Sequence, residues 1–282
     1  MLGNAPGPCW QFAVDNVAAS PGAALVGTNF TTGVSNADGA TVTILSALAQ
    51  DLCYVVVGFA GTSASTEDQN TLADIVIDRA GGTSWGSFID DLVTGFCPTP
   101  TAGAIGMTSW YHFPLSVPAG ASLGVRARHP SANTNTNGRC VIYGFGRPKR
   151  PDMWWCGQGV ESVGINAGTS KGTAHTPGNS SAYSAYATIG TTTRRFGALQ
   201  FGVNGSDGTM LAIGYNWQLG ISSAQIPGTP TFYHSANTTE QMSRVGFGMP
   251  LFVDIPAGTT IQCRATGSGT AEAYNVAVYG VY

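Results

Sequence analysis

Apolar and polar residues alternate with a period of two through much of this chain, in short runs that end at Gly, Pro, Asn or Asp. Leu123, Val125 and Ala127 point one way while Gly124, Arg126 and Arg128 point the other; later, Ile261, Cys263 and Ala265 alternate with Gln262 and Arg264. A period of two marks a strand with one buried face. Residues 41–48, 52–59, 72–78, 107–115 and 196–203 read as further strands, rich in β-branched and aromatic residues. Residues 88–96, where Asp90 and Asp91 interrupt the apolar run, are ambiguous, and a short helix is one reading of them.

The two alternating stretches belong to a repeat. Val117-Pro118-Ala119-Gly120 precedes the first and Ile255-Pro256-Ala257-Gly258 the second; Val141-Ile142-Tyr143-Gly144-Phe145 closes the first copy and Ala277-Val278-Tyr279-Gly280-Val281 the second. The interval from Gly120 to Gly258 equals that from Arg126 to Arg264, whereas the closing tyrosines are offset by two residues less. A gapless register through turn and strand is what a tandem duplication leaves. Pro presets φ and the following Ala-Gly takes a tight turn with positive φ at Gly. The predicted order is an N-terminal arm (1–20), a first β-sandwich module (21–146), a Pro/Trp linker (147–160) and a second module (161–282). In this alignment residues 196–203 answer 54–61, residues 210–215 answer 72–78, and 249–252 answer 113–115.

Composition sharpens the fold class. Only 10% of the 282 residues are charged, against about 25% in an ordinary soluble domain, and Gly alone contributes 39. The Glu, Lys and Arg that build helical surfaces are scarce, while Gly, Thr, Val and Tyr suit short strands and tight turns. The chain is expected to be all-β, two tandem β-sandwich or jelly-roll modules related by internal duplication. A net charge of −3 excludes a polybasic footprint for nucleic acid. No stretch reaches the roughly 20 apolar residues of a membrane span, and Met1-Leu2-Gly3-Asn4-Ala5-Pro6 does not read as a secretory signal.

Candidate chemistry is sparse. The six cysteines (9, 53, 97, 140, 156, 263) contain no C-x-x-C, and their apolar surroundings predict buried, reduced thiols. His112, His129, His175 and His234 lack metal-ligand spacing. Asp90-Asp91 and Glu67-Asp68 are adjacent pairs whose members would point to opposite faces of a strand. Neither a nucleophile elbow nor a phosphate cradle is expected, so no enzyme, metal or cofactor is predicted. Trp85, Trp110, Trp154, Trp155 and Trp217 have two readings, a sugar platform or core and interface packing. Arg126 and Arg264, outward at matching positions, predict a salt link to a neighbouring strand or subunit. Arg147, Lys149, Arg150, Trp154 and Trp155 form either a stiff linker with solvated charges or an anchor of hot-spot residues.

The [Val/Ile]-Pro-Ala-Gly turn, the following strand with Arg-Ala and the closing Val/Ile-Tyr-Gly strand resemble modules in virion proteins of tailed bacteriophages, namely capsid decoration (cement) proteins, head fibres and tail appendages. The resemblance covers the two motif copies. It implies a non-enzymatic structural role in a virion assembled in host cytoplasm, with self-assembly and contacts to other virion proteins. The duplication, with the preference of homo-oligomers for closed symmetry, makes a trimer one option. It transfers no active site. The competing expectation is a carbohydrate- or receptor-binding module that takes a host-surface glycan.

Overall fold

The computed structural model describes residues 13–16, 27–33, 36–62, 71–94, 109–129, 137–146, 155–165, 170–179, 182–204, 214–235, 249–268 and 273–282. Among them all regular structure is β, so no helix is long and apolar enough to cross a membrane.

The first half carries β1 (Ala13–Asp15), β2 (Thr28–Thr31), β3 (Val42–Leu45), β4 (Leu52–Thr62), β5 (Leu72–Asp78), β6 (Gly86–Val93), β7 (Ser109–Phe113), β8 (Ser122–Arg128) and β9 (Asn137–Gly146). The second carries β10 (Val160–Val163), β11 (Thr173–His175), β12 (Ala187–Thr191), β13 (Phe196–Asn204), β14 (Gly214–Ile221), β15 (Ala224–Gln225), β16 (Phe232–Ser235), β17 (Leu251–Ile255), β18 (Thr260–Gly267) and β19 (Tyr274–Val281).

The described strands form four antiparallel sheets, and among them none mixes strands from the two halves. In the first half one sheet runs β1-β9-β4-β7, with β2 also on β9, and the other runs β3-β8-β5-β6. In the second half one runs β10-β19-β13-β17, with β11 also on β19, and the other runs β12-β18-β14-β15, with β16 also on β14. Counting eight strands from β2 through β9, one sheet takes the first, eighth, third and sixth, and the other takes the second, seventh, fourth and fifth. That is the jelly-roll order, and the second half has the same order. The all-β expectation of two tandem sandwiches therefore holds.

The repeated turn occupies the same place in each half. Gly120 and Gly258 have φ of 82° and 79°, and a Cβ at either would meet nothing within 4 Å, so conformation alone selects glycine. Gly120 N donates to Leu48 O at 2.7 Å and Leu48 N to Ala121 O at 2.9 Å; Gly258 N donates to Thr192 O at 2.8 Å and Thr192 N to Thr259 O at 3.0 Å. The strands that follow bury Leu123, Val125 and Ala127 in one half and Ile261, Cys263 and Ala265 in the other, as the alternation requires.

Three expectations are corrected or refined. Residues 88–93 are part of strand β6, not a helix. Ile89 pairs with Ile75 and Leu92 with Ala73, so Asp90 and Asp91 together oppose Asp74 in a bulge. Asp91 takes a φ of 62° there, which lets two carboxylates interrupt a strand without ending it. The strand answering β5 is β14, a few residues later than the aligned 210–215; it pairs with β18 as β5 pairs with β8. In the arm, β1 pairs with β9, and Asn16 is tied by its amide to Thr28 Oγ1 and Cys140 O.

The halves meet along β6, the open edge of its sheet. Tyr279 of β19 donates its hydroxyl to Asp91 O at 2.9 Å and accepts Val93 N–H at 2.9 Å. Tyr111 donates to Val93 O at 2.6 Å, and its ring meets that of Tyr279 edge-on, centroids 5.4 Å apart. Ser162 of β10 donates to Asp90 O. Gly202 of β13 allows this approach: a Cβ there would stand 2.9 Å from both the Tyr279 ring and the Val93 side chain. The chain between the halves is stitched as well, with Gly157 N donating to Pro114 O and Ser116 N to Gly157 O.

Candidate functional site

The motif strand places one arginine at the same register position in each half, and the surroundings of the two differ. In the first half Arg126 on β8 stands opposite Asp74 on β5. Its Nε lies 3.0 Å from Asp74 Oδ2 and 3.1 Å from Asp38 Oδ2. Arg128, two residues on along the same face, contacts Asp91 and lies 3.7 Å from Asp38. The expected link to a neighbouring strand is thus present at Arg126. Asp74 also accepts the Asp91 N–H at 2.8 Å, so the bulge and the ion pairs form one network.

Burial dominates at Asp91 and Asp74. Desolvation pushes the Asp91 carboxyl up from 3.8 to about 6 against the opposing pull of Arg128, with Asp74 and Asp90 adding to the rise. Asp74 is raised too, again by desolvation first. The Arg126 guanidinium loses some of its proton affinity to burial, but Asp38 and Asp74 more than restore it. A native pKa above the unfolded one means the folded chain keeps a proton that the unfolded chain has released. Unfolding free energy should therefore fall as pH rises from about 4 to about 6. Asp91→Asn should remove this contribution, since Asn tolerates the left-handed φ of the bulge. In urea titrations the variant is expected to be the more stable by roughly 1–3 kcal/mol near pH 7, with the gap closing toward pH 4. A gap that stays constant or widens in acid would count against the assignment.

In the second half Arg264 on β18 stands opposite Gln218 on β14, the place Asp74 has in the first. Arg264 Nε donates to Gln218 Oε1 at 2.9 Å, and its guanidinium lies over the rings of Tyr183 and Tyr186, 4.8 and 4.6 Å from their centroids. The segment carrying both rings is fastened to β18 beside Arg264: Ser184 N donates to Ala265 O at 2.9 Å and Ala265 N to Ser184 Oγ at 3.1 Å. Tyr186 lies against Gly220, where an added Cβ would meet its ring at 2.4 Å, and its hydroxyl is buried without a partner among the described residues. The rest of this outward face is amide and hydroxyl: Asn216, Gln218, Gln262 and Thr266, with Tyr233 65% exposed beside them.

Where the halves adjoin, a cleft of about 340 Å³ is lined by Asp90, Asp91, Glu161, Ser162, Arg194 and Tyr282, among others. Its groups are mostly committed: Asp90 accepts from the Ser87 hydroxyl, Glu161 accepts the backbone N–H groups of Thr193 and Arg194, and Arg194 lies over the Tyr282 ring. Among the described residues no group of His, Cys, Asp or Glu is arranged to hold a metal.

The remaining sequence candidates scatter. Arg147, Lys149, Arg150 and Trp154 lie outside the described residues. Trp155 is 44% exposed and rests on Gly197 of β13. The described tryptophans do not form one platform: Trp217 is wholly buried, Trp110 stacks on Tyr143 over Gly58, and Trp85 touches the Gly124 strand. Gly82-Thr83-Ser84-Trp85-Gly86 and Gly168-Thr169-Ser170-Lys171-Gly172 both fit the spacing G-x-S-x-G, yet Ser84 sits in the β5–β6 hairpin with its N–H on Asp78, not at a strand-to-helix turn. Cys9 and Cys97 lie outside the described residues; among those described, Cys53, Cys140, Cys156 and Cys263 form no disulfide with one another, and Cys53 Sγ donates to Gly146 O and Cys156 Sγ to Cys53 O. His175 meets Ser184 Oγ at 2.9 Å, and burial lowers its pKa. Sequence reasoning missed Tyr183, Tyr186 and Gln218. The signal at the tyrosines is small: Ser-Ala-Tyr occurs twice in succession at 181–186.

No family model matches the chain, and no curated protein matches it. Three solved structures with similarity are the crystal structure of the STIV MCP (11% identity, TM-score 0.33, 90% of this chain and 96% of that one), the tandem CBM22-1–CBM22-2 domain of Paenibacillus barcinonensis Xyn10C (11%, 0.24, 90% and 87%) and Broad Bean Stain Virus (9%, 0.29, 88% and 88%). At these TM-scores the likeness carries no argument.

Proposed function

We propose that the chain is a non-enzymatic structural component of a phage virion, a surface decoration (cement) or fibre-type protein that self-assembles and binds neighbouring virion proteins. The observation that carries this reading is the identical jelly-roll order in both halves, with the Pro-Ala-Gly turn and its hydrogen bonds at the same place in each. Jelly rolls recur in viral capsids and in lectins, so the fold favours these roles by analogy. A duplicated module gives a closed homo-oligomer twice as many similar faces as it has chains, and a trimer would then present six to a lattice of six-fold symmetry. The exposed Trp155, Met249 and Phe252 supply apolar contact area of the kind that interfaces bury. Light scattering at high protein concentration is expected to give a multiple of the 29.0 kDa chain mass. On a density gradient of native material the polypeptide should travel with large particles. A single-chain mass, with the protein free at the top of the gradient, would remove the reading.

A second reading, a carbohydrate- or receptor-binding module for host attachment, is favoured by the amide, hydroxyl and tyrosine face around Arg264.

A further inference from the structure

We propose that the outward face of the β12-β18-β14 sheet binds a carboxylate-bearing sugar, with the Arg264 guanidinium taking the carboxylate and neighbouring amide and hydroxyl groups taking the sugar hydroxyls. The proposal rests on the second reading and gives it a ligand class. Three observations converge on it.

The first is an unneutralised charge. Arg264 donates from Nε to Gln218 and lies over two tyrosine rings; among the described residues no carboxylate pairs with it. Its Nη groups therefore remain for an acceptor, and a guanidinium presents donors in a fork that matches a carboxylate.

The second is an internal precedent. At the same register position in the first half, Arg126 holds the carboxylates of Asp74 and Asp38. The second half has Gln218 where Asp74 would stand. The carboxylate that accepts from Arg126 Nε in one jelly roll is replaced in the other by a neutral amide, so the Arg264 Nε is satisfied while its charge is not.

The third is the character of the face. Asn216 and the Gln262 Nε2 offer amide groups, the Thr266 hydroxyl donates to Asn179 O and keeps its oxygen for an incoming donor, and Tyr233 presents an exposed ring, while Gln218 is engaged by Arg264 and Thr231 and Gln262 Oε1 by Ser223 N–H. Such groups suit a polyhydroxylated ligand, whereas a protein interface centres on buried apolar anchors. The rings of Tyr183 and Tyr186 hold the guanidinium in place, so little side-chain freedom is lost on binding.

The test is ligand-observed saturation-transfer NMR on the full chain with glucuronate, N-acetylneuraminate and glucose. At least one of the two acids is expected to bind and glucose to bind far less. Arg264→Gln should weaken acid binding roughly 10- to 100-fold, the range for a hydrogen bond to a charged group. Gln218→Asp leaves the arginine in place but supplies the acid that the first half has, and it should abolish acid binding while the fold is kept. If neither acid binds, or if Gln218→Asp binds it as wild type does, the proposal is overturned. If glucose binds as well as the acids and both variants are indifferent, this proposal falls and the saccharide reading survives. If no sugar binds and Arg264→Gln instead changes the oligomeric mass, the carboxylate belongs to a neighbouring protein chain and the proposal is again overturned.

Discussion

Trp217→Ala is expected to destabilise the second jelly roll by about 3–5 kcal/mol, the range for emptying a large buried aromatic site. Trp217 is fully buried on β14, and its ring lies 5.5 Å from that of His175, 5.9 Å from Phe201 and 6.3 Å from Tyr274. These neighbours are themselves held by strand pairing and by the Tyr274–Tyr215 hydroxyl contact at 3.1 Å, so the cavity has little means to collapse. The indole Nε1 is buried with no hydrogen-bond partner among the described residues. Trp217→Phe should therefore cost distinctly less than Ala, since it keeps most of the ring and removes an unsatisfied donor. Urea denaturation of the three proteins decides: equal losses for Phe and Ala would contradict this account of the site.

Tyr279→Phe is expected to cost about 2–4 kcal/mol, because the deleted hydroxyl serves two backbone groups of the other half at once. Val93 N–H loses its acceptor and Asp91 C=O loses its donor, both on the edge strand β6. The ring stays against Tyr111, so packing is largely kept and the loss reports the hydroxyl. The variant is also expected to loosen the coupling between halves. Unfolding followed by fluorescence and by circular dichroism should then give separated midpoints where the parent chain gives one. A variant as stable as the parent, with coincident transitions, would show that the seam is held by other contacts.

Different elements of the two jelly rolls were legible to very different depths. The Pro-Ala-Gly turns and the strands after them could be read directly, because proline, glycine and strict alternation act over a few residues and need no partner. Strand β6 could not, since a bulge is a relation between two strands: Asp90 and Asp91 make sense only opposite Asp74. The site shows the same division. That Arg126 and Arg264 are outward and equivalent follows from local spacing, but their different chemistry depends on which residue pairing brings opposite, Asp74 or Gln218. Trp217 illustrates the limit for aromatics. Its burial is set by its face of β14, and a tryptophan count cannot distinguish that face from one turned to solvent.

The cysteines give the architecture a practical consequence. Cys140 lies inside the first jelly roll and Cys263 inside the second, each on an inward strand position, with burial raising both thiols, Cys263 to about 12. Buried and protonated, such sulfurs are chemically silent while their own half stays closed, because only the thiolate reacts. An alkylating reagent thus finds a separate clock in each jelly roll, and the order in which the two sulfurs acquire mass records which half of the molecule opens first.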